Sequence, residues 1–337
     1  MSGTPLEKIR QRLMLVGAVL CFLVFVGFIW WSRGVARAES EQAIESAAQH
    51  AREATLKISQ TLDKLVPVNI ALSEDLTSGR LTKEDIPERL KRDKALNPVI
   101  FGLGVAYSPY SFDPNIRLYA PLYVNGEGGP SLVQIEDKYD YTEEGRDWYH
   151  LPLEMGPIWQ EPHYGEASQA FLANFTTPFY IRDSETGENK PGGVVFSSMS
   201  LAQYREIADS LDLGEGYAFI LSAAGVFVSH PDKDYVDKGM SIIQWAEASG
   251  RDPLIKLAKN VLNGRRAFAQ SRDETGRDIW YFSEPIISTG WSVGVVMFKD
   301  HLVSSKPLMG NIPAWSAGAF FLLFTAGLLR SRRPASA

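Results

Sequence analysis

The hydrophobic positions of this chain change their spacing several times along its length, and each change predicts a different element. Residues 13–31, LMLVGAVLCFLVFVGFIWW, are nineteen consecutive residues without a charge. As a helix rising about 1.5 Å per residue, they approach the ~30 Å hydrocarbon thickness of a bilayer. A second apolar run, LMGNIPAWSAGAFFLLFTAGLL, occupies 308–329. Between them the pattern becomes amphipathic. Ala43, Ile44, Ala47, Ala51, Ala54, Ile58, Leu62 and Leu65 are spaced mostly by three and four, which predicts one long helix over 39–75, kinked or ended near Pro67.

Strand signals follow. The stretches 99–107, 116–124, 131–136, 170–181 and 192–201 are β-branched and aromatic runs bounded by Gly, Pro and Asn turns. LAQYREIADSL then reads as a helix, and after Gly-Glu-Gly a smaller cycle begins. It has a hairpin around Ala224–Gly225, two helical stretches, and the strands RAFAQSR, DIWYFSEPI and WSVGVVMF. The predicted fold is α+β: a long N-terminal helix and then two antiparallel-sheet modules, flanked by two transmembrane helices. The divisions are a cytoplasmic N-terminus at 1–12, a span at 13–31, a stalk helix at 39–75, a larger module with its connecting helix at 76–211, a smaller module at 212–300, a span at 308–329 and a short cytoplasmic tail at 330–337.

Charge sets the orientation. Lys8, Arg10 and Arg12 precede the first span, and Arg330, Arg332 and Arg333 follow the second. The positive-inside rule therefore puts both termini in the cytoplasm and residues 32–307 outside a bacterial cytoplasmic membrane. Arg33 and Arg37 oppose this for the first span. The sequence ARA at 36–38 has the form of a signal-peptidase site, so cleavage after Ala38 is the alternative to an uncleaved anchor. A net charge of −6 argues against a nucleic-acid partner. The only cysteine, Cys21, rules out an internal disulfide and Cys-based zinc sites. The five histidines show no metal-ligand spacing, no cofactor motif is present, and no nucleophile motif appears in the outer segment, so an extracytoplasmic hydrolase has little support. The sequon at 174–176 reads as part of a strand.

One stretch concentrates chemistry: YDYTEEGRDWYHL, residues 139–151, sets three tyrosines and a tryptophan around the single Arg146. An arginine offers a planar fork of donors that suits a carboxylate, and rigid aromatics make an apolar wall with polar tips. The alternative is an arginine paired with neighbouring acids at the surface and aromatics buried in the core.

The arrangement resembles the double Cache sensor domain of bacterial transmembrane receptors over residues 39–300, with PAS-like modules. The matching stretches are RDWYHLPLEMGPIWQEPHYGEASQAFLANFTTPFY and GYAFILSAAGVFVSHPD. The resemblance implies a ligand pocket in the membrane-distal module, with Arg146, Tyr141, Trp148 and Tyr149 gripping the ligand as in the family's amino-acid-binding subgroup. Tyr164 and Glu166 match a downstream aromatic and acid, Glu standing where the family usually has Asp. The family's ammonium-binding aspartate aligns with Ser198. Read as residues, the faces of Tyr149, Trp159 and Tyr164 can support a cation beside Glu166. The ligand is then an amino acid bound through Glu166, or a carboxylate without an amine. These features imply a sensor or receptor subunit, homodimeric, signalling to a separate cytoplasmic or membrane partner. The rival is a membrane-tethered scaffold that uses the same fold for protein contacts. After Arg333 only PASA remains, so the chain reads either as a stand-alone sensor or as a fragment of a longer receptor.

Overall fold

The computed structural model describes residues 5–126, 129–183, 186–273 and 275–302. Its contacts gather residues 48–298 into one body, and the other described residues, 5–47 and 299–302, fall outside it. Helix α1 (Pro5–Leu62) has 58 residues. Within the body its Ala51, Ala54, Ile58 and Leu62 are all buried, continuing the predicted apolar stripe.

The helix ends at Leu62, not at Pro67. Asp63 and Lys64 form a turn, and α2 (Leu65–Thr77) begins immediately after it. Pro67 thus lies in the first turn of α2, where a missing N–H costs nothing because that group would have no intrahelical partner. From α2, Asn69 Nδ2 donates to the Phe175 carbonyl at 2.6 Å and Ser73 Oγ donates to that of Pro178 at 2.7 Å.

These carbonyls belong to the first sheet. Its strands are β1 (Gly102–Tyr107), β2 (Pro121–Gly126), β3 (Gly129–Gln134), β4 (Ile158–Trp159), β5 (His163–Gly165), β6 (Ala170–Arg182) and β7 (Asn189–Ser200). The order is β3-β2-β1-β7-β6-β4, with β5 also on β6, and every pairing is antiparallel. Helices α3 (Ile86–Leu96) and α4 (Asp147–Met155) cover it, and α5 (Leu201–Asp209) leads onward from a capping box made by Ser200 and Gln203. The expected strand at 116–124 is shorter and begins at Pro121. Residues 110–118 instead form turns closed by an Asp113–Ile116 bridge. Pro114 and Asn115 explain this, since proline cannot donate to a ladder and Asn favours turns.

The second sheet contains β8 (Tyr217–Leu221), β9 (Phe227–Ser229), β10 (Ala267–Arg272), β11 (Asp278–Ile286) and β12 (Trp291–Phe298), in the order β10-β11-β12-β8-β9. Helices α6 (Lys233–Asp237), α7 (Ile242–Ser249) and α8 (Asp252–Leu262) lie between β9 and β10, and the hairpin at Ala224–Gly225 is present. Read from the second strand inward, both sheets follow one path: second, first, last, next-to-last. The long N-terminal helix and two antiparallel sheets thus follow the predicted pattern.

Among the residues described fully enough to be assessed, no helix is long and apolar enough to cross a membrane. The side chains of 13–15, 18 and 21 fall outside that set, and the run at 308–329 lies wholly outside the described residues.

One glycine tests the central register. Gly193 pairs with both Tyr107 and Phe179 at a φ of 146°, and a Cβ there would strike the Ala106 carbonyl oxygen and lie 2.8 Å from Tyr107 Cα. Backbone cannot yield as a flexible side chain does. Gly193→Ala should therefore lower the unfolding free energy by at least ~2 kcal/mol in urea denaturation. Gly214→Ala, also at positive φ but with open space, should cost only about 1 kcal/mol.

Candidate functional site

Strand alternation sorts the first sheet into two faces. Phe175, Thr177 and Ser197 face one way; Leu172, Asn174, Phe196 and Ser198 face the other. The second set meets α4 and the segment around β5. Between them lies a cavity of about 30 Å³, lined among others by Tyr139, Trp148, His163, Asn174 and Ser198. That volume holds roughly one water molecule.

The floor is polar and buried. Asn174 and Ser198 are direct cross-strand partners, 4% and 2% exposed. Ser198 Oγ donates to the Gly102 carbonyl at 3.3 Å. Asn174 Nδ2 lies 3.4 Å from His163 Nε2, while Asn174 Oδ1 is buried with no hydrogen-bond partner. His163 Nδ1 is 3.1 Å from the Glu161 carbonyl. These contacts fix the tautomer: Nδ1 donates to the carbonyl and Nε2 accepts from the amide. Burial holds the His163 pKa below the usual histidine value, which keeps the ring neutral.

The rim is charged. Gly145, at a φ of 86°, turns the chain into α4 and leaves Arg146 at its N-cap. The Arg146 guanidinium lies 4.2 Å from the Tyr139 ring centroid and donates from Nη1 to Glu166 Oε1 at 2.8 Å. The Glu166 hydrogen bond raises the arginine's pKa further. Burial pushes the Tyr139 hydroxyl up to about 12. Beneath this rim the 139–142 turn is pinned. Asp140 accepts from the Thr142 hydroxyl and amide, and from Arg117 at 2.6 Å, which together hold it down at about 2.

Of the residues singled out from sequence, Trp148 and Ser198 line the cavity; Arg146 and Glu166 do not line it but meet as an ion pair next to lining residues, Arg146 over the Tyr139 ring and Glu166 between Gly165 and Ala167 in sequence. Tyr141 is fully buried, its hydroxyl donating to the Tyr107 carbonyl at 2.6 Å. The Tyr149 hydroxyl donates to Ser108 Oγ at 3.2 Å. Both rings back the wall, and their polar tips serve the core. Trp159 packs at the junction of the sheets, 5.6 Å from Trp291 between ring centroids, and Tyr164 is 52% exposed against Phe171. Asn174, His163 and Tyr139 were not singled out. The available signal was Asn174 itself, a lone amide at an inward position of the apolar strand FLANFTTPF.

Two measurements follow from this geometry. Without ligand, Arg146→Ala should cost no more than about 1–2 kcal/mol, the worth of a half-exposed pair plus one cation–π contact, by chemical denaturation. Acid should act through buried histidines. His163 and His230 have lowered folded pKa values, His230 down to about 4. The unfolded chain therefore takes up these protons first, and stability falls as pH drops below 6.5 toward 4, by up to ~1.4 kcal/mol per pH unit for each proton. Unfolding midpoints across that range should flatten in His163→Gln and His230→Gln.

Residues 86–187 match the family described as methyl-accepting chemotaxis protein-like, first PDC sensor domain. The methyl-accepting chemotaxis protein PctB of Pseudomonas aeruginosa is 26% identical over 246 residues, covering 69% of this chain and 34% of that protein. The chain thus spans about a third of that relative's length. Among solved structures, the extracellular domain of the putative histidine kinase soHK1S-Z6 superposes with a TM-score of 0.63 at 19% identity, covering 80% of this chain and 99% of the other. The ligand-binding domain of PctB of Pseudomonas aeruginosa PAO1 in complex with L-Gln does so with a TM-score of 0.55 at 17% identity, covering 80% and 96%. Residues 86–187 are thus similar to the first PDC sensor domain of methyl-accepting chemotaxis protein-like receptors, and the two-sheet body that contains them has the double Cache fold.

Proposed function

We propose that the chain is a membrane-anchored sensor whose first module binds a small amino acid between Asn174 and Arg146, outside the cytoplasmic membrane, and signals to a separate partner. One observation carries this reading: a buried, unpartnered acceptor, Asn174 Oδ1, faces Ser198 beneath an arginine–carboxylate rim. An unpaired buried acceptor costs about 1–3 kcal/mol, and an ammonium donor entering the cavity recovers it. Asn174 thus supplies, one strand over, an acceptor for the ammonium that Ser198 cannot supply as an anion. The structurally similar PctB domain, solved with L-Gln, supports the amino-acid class.

At about 30 Å³ the cavity is closed to such a ligand, so binding requires the rim to open. The latch is weak. Arg146 and Glu166 side chains are 27% and 49% exposed, and such pairs contribute about 0–1 kcal/mol. A ligand carboxylate can replace Glu166 on Arg146, leaving Glu166 for the ammonium. The adjoining turn includes Gln169 at a φ of 51°, an uncommon backbone for a non-glycine residue. Ligand binding then shifts the balance between closed and open forms by its differential affinity.

Residues 13–31 form the proposed anchor. They lie within α1, where Leu20, Phe22, Leu23, Val24 and the terminal Trp30 and Trp31 all expose apolar surface. A second span at 308–329, a homodimeric state and cytoplasmic termini belong to the same proposal. The scaffold reading draws on the closed cavity alone.

A thermal-shift screen of the full chain in detergent against amino acids, amines, carboxylates and purines tests the proposal. A ligand at one hundred times Kd stabilises by ~2.7 kcal/mol. An amino acid should stabilise the wild type, and Arg146→Ala and Asn174→Leu should each abolish the shift. Retained affinity in Arg146→Ala would sink the pocket assignment. Silence across the panel, with a protein partner co-purifying, would favour the scaffold.

A further inference from the structure

The second module holds a larger cavity than the first, about 400 Å³, at the corresponding place in its sheet. The correspondence follows from register. In the first module Ser198, on the last strand, lies opposite Gly102 at the start of β1 and Asn174 on β6. In the second, Val296 on the last strand lies opposite Tyr217 at the start of β8 and Tyr281 on β11. Tyr281 therefore stands where Asn174 stands, and α6–α8 roof the space as α4 and β5 roof the first. A volume of 400 Å³ falls within the range of about 300–1,000 Å³ common for small-molecule sites.

The walls are aromatic and ordered. Trp245 meets Tyr281 edge-on at 5.6 Å between ring centroids, and His230 lies 5.5 Å from Tyr217 and 4.6 Å from Tyr235. The polar groups left over are mainly donors. The hydroxyls of Tyr217, Tyr235 and Tyr281 hydrogen-bond to no described residue, and burial raises the pKa of Tyr281 to about 12, so it keeps its proton. Asp232 N–H donates to His230 Nδ1 at 2.9 Å, which puts the ring proton on Nε2. Arg251 brings a permanent positive charge to the wall, held by Ser271 Oγ and the Arg272 carbonyl. Asp273, the one carboxylate among the described lining residues, turns its Oδ1 to the β10–β11 turn, where it accepts from the Thr275 amide and hydroxyl and the Arg277 amide.

We infer that the second module is itself a binding site, for a small organic carboxylate with an apolar body. The carboxylate takes the tyrosine hydroxyls and the Arg251 charge, and the body lies among Trp245, Met240 and Leu254. An aromatic box facing a free carboxylate would favour a cation. Here the uncommitted groups are donors around an arginine, which selects an anion. This inference does not rest on the first-module pocket.

The test is calorimetric titration of the full chain in detergent with benzoate, isovalerate, benzamide and tetramethylammonium. Benzoate or isovalerate should bind saturably, one per chain, with benzamide at least about tenfold weaker. Tyr281→Phe, which removes a hydroxyl that makes no hydrogen bond in the fold, should weaken binding by about tenfold with an unchanged melting temperature. Arg251→Gln should abolish it, and Arg146→Ala, in the other module, should leave it unaltered. No binding by either acid, preferential binding of tetramethylammonium, full affinity in Tyr281→Phe, or loss of binding in Arg146→Ala would each overturn the inference.

Discussion

Each module is organised by a phenylalanine lying over a glycine across its two central strands. In the first, Phe196 on β7 faces Gly104 on β1; in the second, Phe219 on β8 faces Gly294 on β12. A Cβ on either glycine would clash with the opposing ring. The missing side chain lets the ring lie down on the sheet and sets how closely the cover can approach. One register step outward the ring no longer fills the space, and there each sheet has its cavity. The sites are thus a consequence of how the core is packed, and what distinguishes them is the side chains at the next pair.

Those side chains put the two cavities in different energetic positions. The first has an expensive floor and an inexpensive lid: a buried amide oxygen without a partner lies below an ion pair that contributes about 1 kcal/mol or less. In the proposed function, this favours a ligand that brings both a donor and a carboxylate. The second already has an open volume, and its donors stand ready on rigid rings.

The short segment from β4 to β5 touches both modules. Trp159 packs on Trp291, which also meets Tyr204 of the connecting helix. Glu161 accepts from the Ala224 amide in the second module's hairpin at 3.0 Å, and two residues later His163 faces the first cavity. A rim that moves at β5 therefore pulls directly on the junction. Contiguous packed and hydrogen-bonded groups of this kind are the physical means by which a local rearrangement reaches a neighbouring module.

Periodicity and turn chemistry alone determined the long helix and most of the strands, but not α4, β4, β5 or α6. The apolar stripe from Ala51 to Leu65 is buried as its spacing requires, and the alternating runs at 170–181 and 192–201 became the long pair β6 and β7. Composition likewise concentrated attention on 139–151, and the family resemblance picked out Trp148 and Ser198, which line one cavity, and Arg146, which stacks on the lining residue Tyr139. The tertiary structure alone decided where each polar tip points. Tyr141 and Tyr149 stand beside Arg146 in sequence, yet their hydroxyls are used by Tyr107 and Ser108 on the far side of the wall. Asn174 and His163 join the site only through the pairing of β6 with β7 and with β5. The reason is geometric: alternation along one strand says which residues share a face, but which faces meet is set by strand register and by the cover that closes over them.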